Sequence, residues 1–434
     1  MKTQSASRTF SKSDALLARA LKIIPSGTQT FSKGYTQYPA GASPLFLERG
    51  EGAHVWDADD NRYLDYPLAL GPNILGYANS AVNEALTRQV RDGASFSLPH
   101  RLEVEVAEML VERIPCAEMV RFGKNGSDAT SAAVRLARAV TGRERIAVCG
   151  YHGWQDWYIG TTTRSRGVPE AVKKLTHTFD YNRLDTLEAL LDRHPGEFAA
   201  VVMEPIGVVD PEPGFLQGVK DLAHRRGAIL VYDEIVTGFR LARGGAQELF
   251  KVTPDLACFG KAMANGLPLS AVVGRADLMK EFDELFFSFT AGGEALSLAA
   301  AKATMLEIDR IDAYPLLYRL GDRLRDGMNR LIAARGLAEK ISCIGPGPHT
   351  VVPFKGASDE ESLVLRTLFQ QEAIARGILF LVGHNICAAM TVEDIDWTLE
   401  AYGEILDIFK RALESGRPES FLRGHVVKAI FRKP

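Results

Sequence analysis

Apolar positions along the chain fall into two alternating patterns between about residue 75 and residue 310. Segments with apolar residues every three or four positions (82–93, 102–113, 129–140, 185–193 and 217–226) predict amphipathic helices. Between and after them come short runs that are apolar throughout save for Arg121 in the first: 119–122, 146–149, 198–203, 229–232, 256–259 and 271–273. Each is bounded by Gly, Pro or charge. Strands buried on both faces have this look, so the pattern predicts a mostly parallel sheet covered by helices. In such sheets ligands sit at the carboxyl ends of the strands, so the chemistry is expected just after these runs.

Outside that region the pattern changes. Residues 13–24 predict a helix capped by Ser13 and ended by Pro25. A Gly-, Ser-, Thr- and Tyr-rich stretch, 26–44, reads as loop. Residues 45–66 predict two short strands around a turn. Residues 297–335 are strongly helical, and the rest mixes helices and strands. The organisation expected is therefore an N-terminal segment, 1–74, that joins a C-terminal part, 311–434, in a small α+β domain, with a large domain, 75–310, between them. The basic tail 417–434 (Arg417, Arg423, Lys428, Arg432 and Lys433) reads as solvated or packed in a dimer rather than as an interaction arm.

Composition narrows the class. With 46% apolar and 24% charged residues the chain resembles an ordinary globular protein, and a net charge of -3 gives no reason to expect nucleic acid or an acidic membrane as partner. No apolar run approaches the roughly 18 residues of a spanning helix, and residues 1–12 hold no apolar leader core. The five cysteines form no CxxC pair, which points to buried thiols in a reducing cytoplasm. The nine histidines show no HExxH spacing, so no metal site is expected.

Four places carry candidate chemistry. Asp233 follows the run 229–232, and a carboxylate at the mouth of a buried strand needs a cation such as a protonated pyridine nitrogen; it could equally cap a helix. Lys261 follows 256–259 between glycine and small residues, where desolvation would make it a nucleophile for a carbonyl; an ordinary lysine with its head in water fits as well. Gly123–Ala129 joins a strand to a helix start, the arrangement that cradles phosphate, where Ser127 could add a hydroxyl, or else a plain capped helix. Tyr151, after 146–149, could stack on a flat cofactor or sit in a core.

Taken in order, these stretches resemble a known family. NGSDATSAAVRLARAVTGR, YHGW, EP, DEIVTGFR, PDL, GK and FTAGGEAL are similar to the class III aminotransferases, over about residues 14 to 410. Within the family, glutamate-1-semialdehyde aminomutase and its relatives look most alike. The resemblance implies a pyridoxal 5'-phosphate (PLP) enzyme of fold type I. Lys261 would hold the cofactor as a Schiff base and shuttle a proton. Asp233 would bind the pyridine nitrogen and Ile235 press on one ring face. Tyr151 would stack on the other face, with His152 beside it. Asn125, Gly126 and Ser127 would hold the phosphate, and Glu204 would organise the floor of the site. Thr290 would reach the phosphate in a partner subunit, which implies a homodimer with shared active sites.

The departures fall on substrate positions. Lys33 and Leu70 stand where the aminomutases have an arginine and a tryptophan, and the stretches after Glu204-Pro205 and over 381–391 are shorter. The function expected is amino transfer from a small donor to a separate carbonyl acceptor by a ping-pong route. The Gly-, Ser-, Thr- and Tyr-rich loop 26–36, with His384 and Asn385, offers neutral hydrogen bonds that suggest a sugar-like acceptor. The alternatives are the intramolecular aminomutase reaction, other PLP chemistry, or a non-catalytic relative.

Overall fold

The computed structural model describes residues 8–429. The chain forms two compact units. One is built from the two ends of the chain, up to Asn79 and from Pro315 on; the other runs from Ser80 to Tyr314.

In the first unit, β1 (Leu47–Glu51), β2 (His54–Asp57) and β3 (Arg62–Asp65) form an antiparallel meander, three strands rather than the two expected. In the second, β4 (Met119–Gly123), β5 (Arg145–Cys149), β6 (Thr176–Thr178), β7 (Phe198–Met203), β8 (Ile229–Asp233), β9 (Leu256–Phe259) and β10 (Ser270–Gly274) build one seven-stranded sheet in the order β4-β10-β9-β8-β7-β5-β6. Returning to the first unit, β11 (His349–Val351) pairs with β13 (Gly383–Asn385), and β12 (Ile378–Leu379) adds to β3 in parallel.

The large sheet is mostly parallel, with β10 antiparallel to both its neighbours. All six residues of β7 are buried, as an apolar run covered on both faces requires. Against this sheet the helix Gly126–Thr141 packs Ala129, Ala133, Val134 and Leu136. Each large apolar side chain so buried contributes about 1.5–3 kcal/mol. β4 departs from the expectation of two-sided burial: it is an edge strand paired only with β10, so Met119 and Arg121 face outward. The three-residue β6, Thr-His-Thr, has no apolar run to be read from sequence.

The small unit keeps its own core around Val55, Tyr63, Ile374 and Leu379. Its first helix, Ser11–Ile23, is not capped by Ser13, which lies inside it, buried, and accepts from the amide of Leu45. The carboxylate of Asp59 takes the Lys12 and Ser13 amides instead, at 3.0 and 3.1 Å. The helical stretch 297–335 is two helices, Ala295–Arg310 and Ala313–Ala334, broken at Asp312 with φ of 46°. The described part of the tail, to 429, is largely exposed, as expected, yet it is tied down by polar contacts. Arg423 pairs with Glu372 at 2.6 Å, and the backbone of 425–428 bonds to Ala40, Thr36 and Thr367. Met1 to Ser7, and Arg432 and Lys433 of the tail, lie outside the described residues.

Candidate active site

Parallel strands end on one edge of the sheet, and the candidate residues gather there because each follows such an end. Asp233 closes β8, Glu204 follows β7, the Gly150–His152 turn follows β5, and Lys261 follows β9 across Gly260. Through β10, β4 runs in the same sense as β9, so Gly123 and the turn to Ser127 sit on this edge as well.

Asp233 is 4% exposed. Its Oδ1 accepts the amide of Ile235 at 3.1 Å, and its Oδ2 meets His152 Nδ1 at 2.9 Å. A carboxylate only accepts, so His152 carries its proton on Nδ1 and donates it. Reading the sequence placed His152 merely beside a cofactor ring; the structure makes it the partner of Asp233. Its other ring nitrogen, Nε2, is buried without a hydrogen bond. Two bonds satisfy only part of what an ionised, buried carboxylate can accept, so the site suits an added cation.

Lys261 lies at φ of 41°, a left-handed conformation that costs a non-glycine residue about 1–3 kcal/mol and is concentrated at functional sites. Burial pushes its ammonium below the usual lysine range, with Glu204 and Asp233 pulling the other way and Arg240 adding to the fall. A lysine so placed loses its proton readily and becomes a nucleophile. Glu204 is itself raised, by burial first and by Asp233 second. Its Oε2 accepts the amide of Tyr151 at 3.1 Å and fills the space a side chain at Gly150 would need.

The turn before the helix Gly126–Thr141 is built for close approach. A Cβ on Gly126 would press on Ile235, and one on Gly153 would come within 2.6 Å of the Ser127 Cβ. Ser127 is buried at the first turn of that helix, where amides lack intrahelical acceptors. Asn125 sits just outside, its amide donating to Asp128 at 2.7 Å. Ile235 reaches Gly126 on one side and Gly260 on the other, so it bridges the helix start and the lysine turn. Tyr151 is half exposed and meets Tyr158 edge-on at 5.5 Å.

Other motif residues are structural. Glu234, fully buried, accepts from Thr237 and from the amides of Ala246 and Gln247. Asp255 of the PDL motif holds His224 and Arg275. All five cysteines are buried, and among the described residues none forms a disulfide.

The expected substrate residues lie in the small unit. Lys33 is exposed, and Lys33 and Leu70 line one cavity. His384 is withdrawn as a substrate contact. It is 1% exposed, with Nδ1 on Thr350 at 2.7 Å and Nε2 on Tyr402 at 2.9 Å, and burial pushes it down to about 3. Asn385 spends its amide on the carbonyls of Tyr66 and Pro67 and its oxygen on His349. Neither is left to bind a sugar hydroxyl. Thr290 is exposed in the loop before the helix Ala295–Arg310.

The cluster meets the demands of PLP: a buried carboxylate for the pyridinium, a desolvated lysine for the aldehyde, and a helix start with a serine for the phosphate. Comparison with known proteins agrees. The family profile Aminotransferase class-III matches residues 36–413. Glutamate-1-semialdehyde 2,1-aminomutase of Syntrophobacter fumaroxidans is 37% identical over 91% of this chain and 97% of that protein. The 3-aminobutyryl-CoA aminotransferase of Cloacimonas acidaminovorans is 34% identical over 93% and 99%. Among solved structures, the PLP internal aldimine form of the FumI protein of Sphingopyxis sp. MTA144 superposes with a TM-score of 0.87 at 29% identity, covering 95% of this chain and all of that one.

Proposed function

Because this chain belongs to the class III aminotransferases, a family of PLP enzymes, we propose that it transfers an amino group from a small donor to a separate small carbonyl acceptor by a ping-pong route. The observation that carries this reading is an asymmetry. The residues that would hold the cofactor gather at one sheet edge, whereas Lys33 and Leu70 stand where the resemblance implies an arginine and a tryptophan in the aminomutases. A lysine is a point charge and cannot grip a carboxylate through two parallel bonds as arginine does.

Bound PLP supplies the electron sink. The chain supplies the rest. Asp233, steadied by His152, would hold a proton at the pyridine nitrogen. Lys261 Nζ would take the cofactor's aldehyde and serve as the base that moves the proton. Tyr151 and Ile235 would flank the ring, and Gly126 and Ser127 would hold the phosphate, with Asn125 at the mouth of that turn. Glu204 keeps the Tyr151 turn in place.

The same reading makes the enzyme a homodimer with shared sites. Near Thr290 in sequence, Phe286 is 79% exposed, and Phe289, Val104 and Met119 are also exposed. Phe289, Val104 and Met119 line a cleft of about 810 Å3 that a second copy would cover. Light scattering that gave a monomer would defeat this part.

Single-turnover absorbance with a panel of amines tests the main proposal. One donor should convert the cofactor to its amine form, and a keto acid or aldehyde should restore it. The second reading, intramolecular amino exchange, is favoured by the identity to proteins named aminomutases. Efficient conversion of glutamate-1-semialdehyde to aminolevulinate without an added donor would replace the first reading by the second.

A further inference from the structure

The small unit contains a cavity of about 380 Å3, a size ordinary for small-molecule sites. Most of its wall is apolar, from Leu17, Tyr38, Phe46, Leu47, Leu70 and Leu379. Its two charged residues are Lys33 and Asp65.

Asp65 ends β3 and is 1% exposed. Its Oδ2 accepts the Tyr77 hydroxyl at 2.5 Å, while its Oδ1, equally buried, makes no hydrogen bond. Burial raises the carboxyl to about 6 against the pull of Tyr77, the Leu68 amide and Lys33. A carboxylate oxygen buried without a donor is costly, and such a group calls for a partner. Lys33, exposed, acts on Asp65 only as a nearby charge.

The chain next to Asp65 is also strained. Leu68, Ala69 and Leu70 have φ of 43°, 57° and 77°, followed by Gly71 at 99°. Three consecutive non-glycine residues in the left-handed region persist only when their surroundings hold them. Here Asn385 does so, through the carbonyls of Tyr66 and Pro67. The outcome is that Ala69 and Leu70 are fixed against the cavity. An apolar chamber, one unsatisfied buried acceptor and strain invested in one wall are together the signature of a ligand site.

We propose that this cavity binds a small apolar monoamine, whose ammonium group donates to Asp65 Oδ1 and whose alkyl or aryl tail lies against Leu17, Phe46, Leu47 and Leu379. Lys33 and Leu70 line this same cavity, so the proposal rests on the amino-transfer reading in placing an amine on its substrate side, and the probe keeps the two apart. N,N-Dimethylhexylamine is cationic and can donate one hydrogen bond, but a tertiary amine cannot form a Schiff base. Calorimetric titration of the holoenzyme with it should give one site per chain. Hexanol, with the same tail and no charge, should bind at least about tenfold more weakly. Asp65→Asn should lower amine affinity by at least about tenfold while leaving hexanol unchanged. Leu17→Trp, on a partly exposed helix position, should fill the chamber and abolish both, and it decides the matter if the Asp65 variant does not fold. Absence of binding to the parent protein, or amine affinity unchanged in either folded variant, would overturn the proposal.

Discussion

Replacing His152 by Phe probes the electrostatics of the strand-end cluster with little change in shape. The imidazole stacks near Trp157 and meets Tyr158 edge-on, contacts a phenyl ring can keep. What is lost is the 2.9 Å bond to Asp233. A hydrogen bond to a charged group contributes about 1.5–3 kcal/mol, and that is the support Asp233 would lose. Its hold on a protonated pyridine nitrogen weakens by a similar free energy. If the whole loss is felt in the transition state, the amino-transfer half-reaction slows by about 10–100-fold. Stability should move far less, because the variant also removes the buried, unpartnered Nε2, whose burial costs about 1–3 kcal/mol. The assay is rapid-mixing absorbance with the best donor across pH, beside thermal melting of the same samples. A half-reaction within about twofold of the parent at every pH, with the cofactor bound, would refute the account of His152 as the residue that steadies Asp233. A rate loss matched by a collapse in melting temperature would refute it too.

Three further outcomes follow from the geometry. Lys261→Ala should bind PLP without the visible Schiff-base band and lose transfer activity; a retained band would remove Lys261 from its role. Gly153→Ala, at φ of 110° and with a Cβ 2.6 Å from that of Ser127, should cost about 1–3 kcal/mol and weaken cofactor retention, which equilibrium dialysis reads. His384, held at about 3 in the fold against an ordinary 6.5, makes the unfolded chain bind more protons between those values. It therefore contributes stability above pH 6.5 that is lost on acidification towards pH 3, at up to about 1.4 kcal/mol per pH unit. Asp65, raised to about 6, works in the opposite sense below that pH. The test is therefore the difference between parent and His384→Gln in urea unfolding at pH 7.5 and 5.5: the parent should lose more, and equal losses would discount the effect.

Much of the large unit was legible in the chain because its signals are local. An apolar run such as 198–203 can only be a strand covered on both sides, and the residue after it then falls at a sheet edge. The order of Ser127, Tyr151, Glu204, Asp233 and Lys261 behind such runs thus announced one shared edge before any coordinates. Other features were illegible because their causes lie far along the chain. Ser13 resembles a cap by its neighbours, but the cap is Asp59. His384 looks like a polar residue in a loop, yet Thr350 and Tyr402 consume both its nitrogens. His152 acquires its meaning only when β5 and β8 bring it 2.9 Å from Asp233. The edge position of β4 is decided by β10, which follows it by well over a hundred residues. The sequence by itself determined which segments are buried and which residue types stand at their ends, since hydrophobic period and turn chemistry act over a few positions. The tertiary structure alone decided which polar groups find partners and which, such as Asp65 Oδ1, do not, because hydrogen bonding of a buried group is settled by whatever distant segment packs against it.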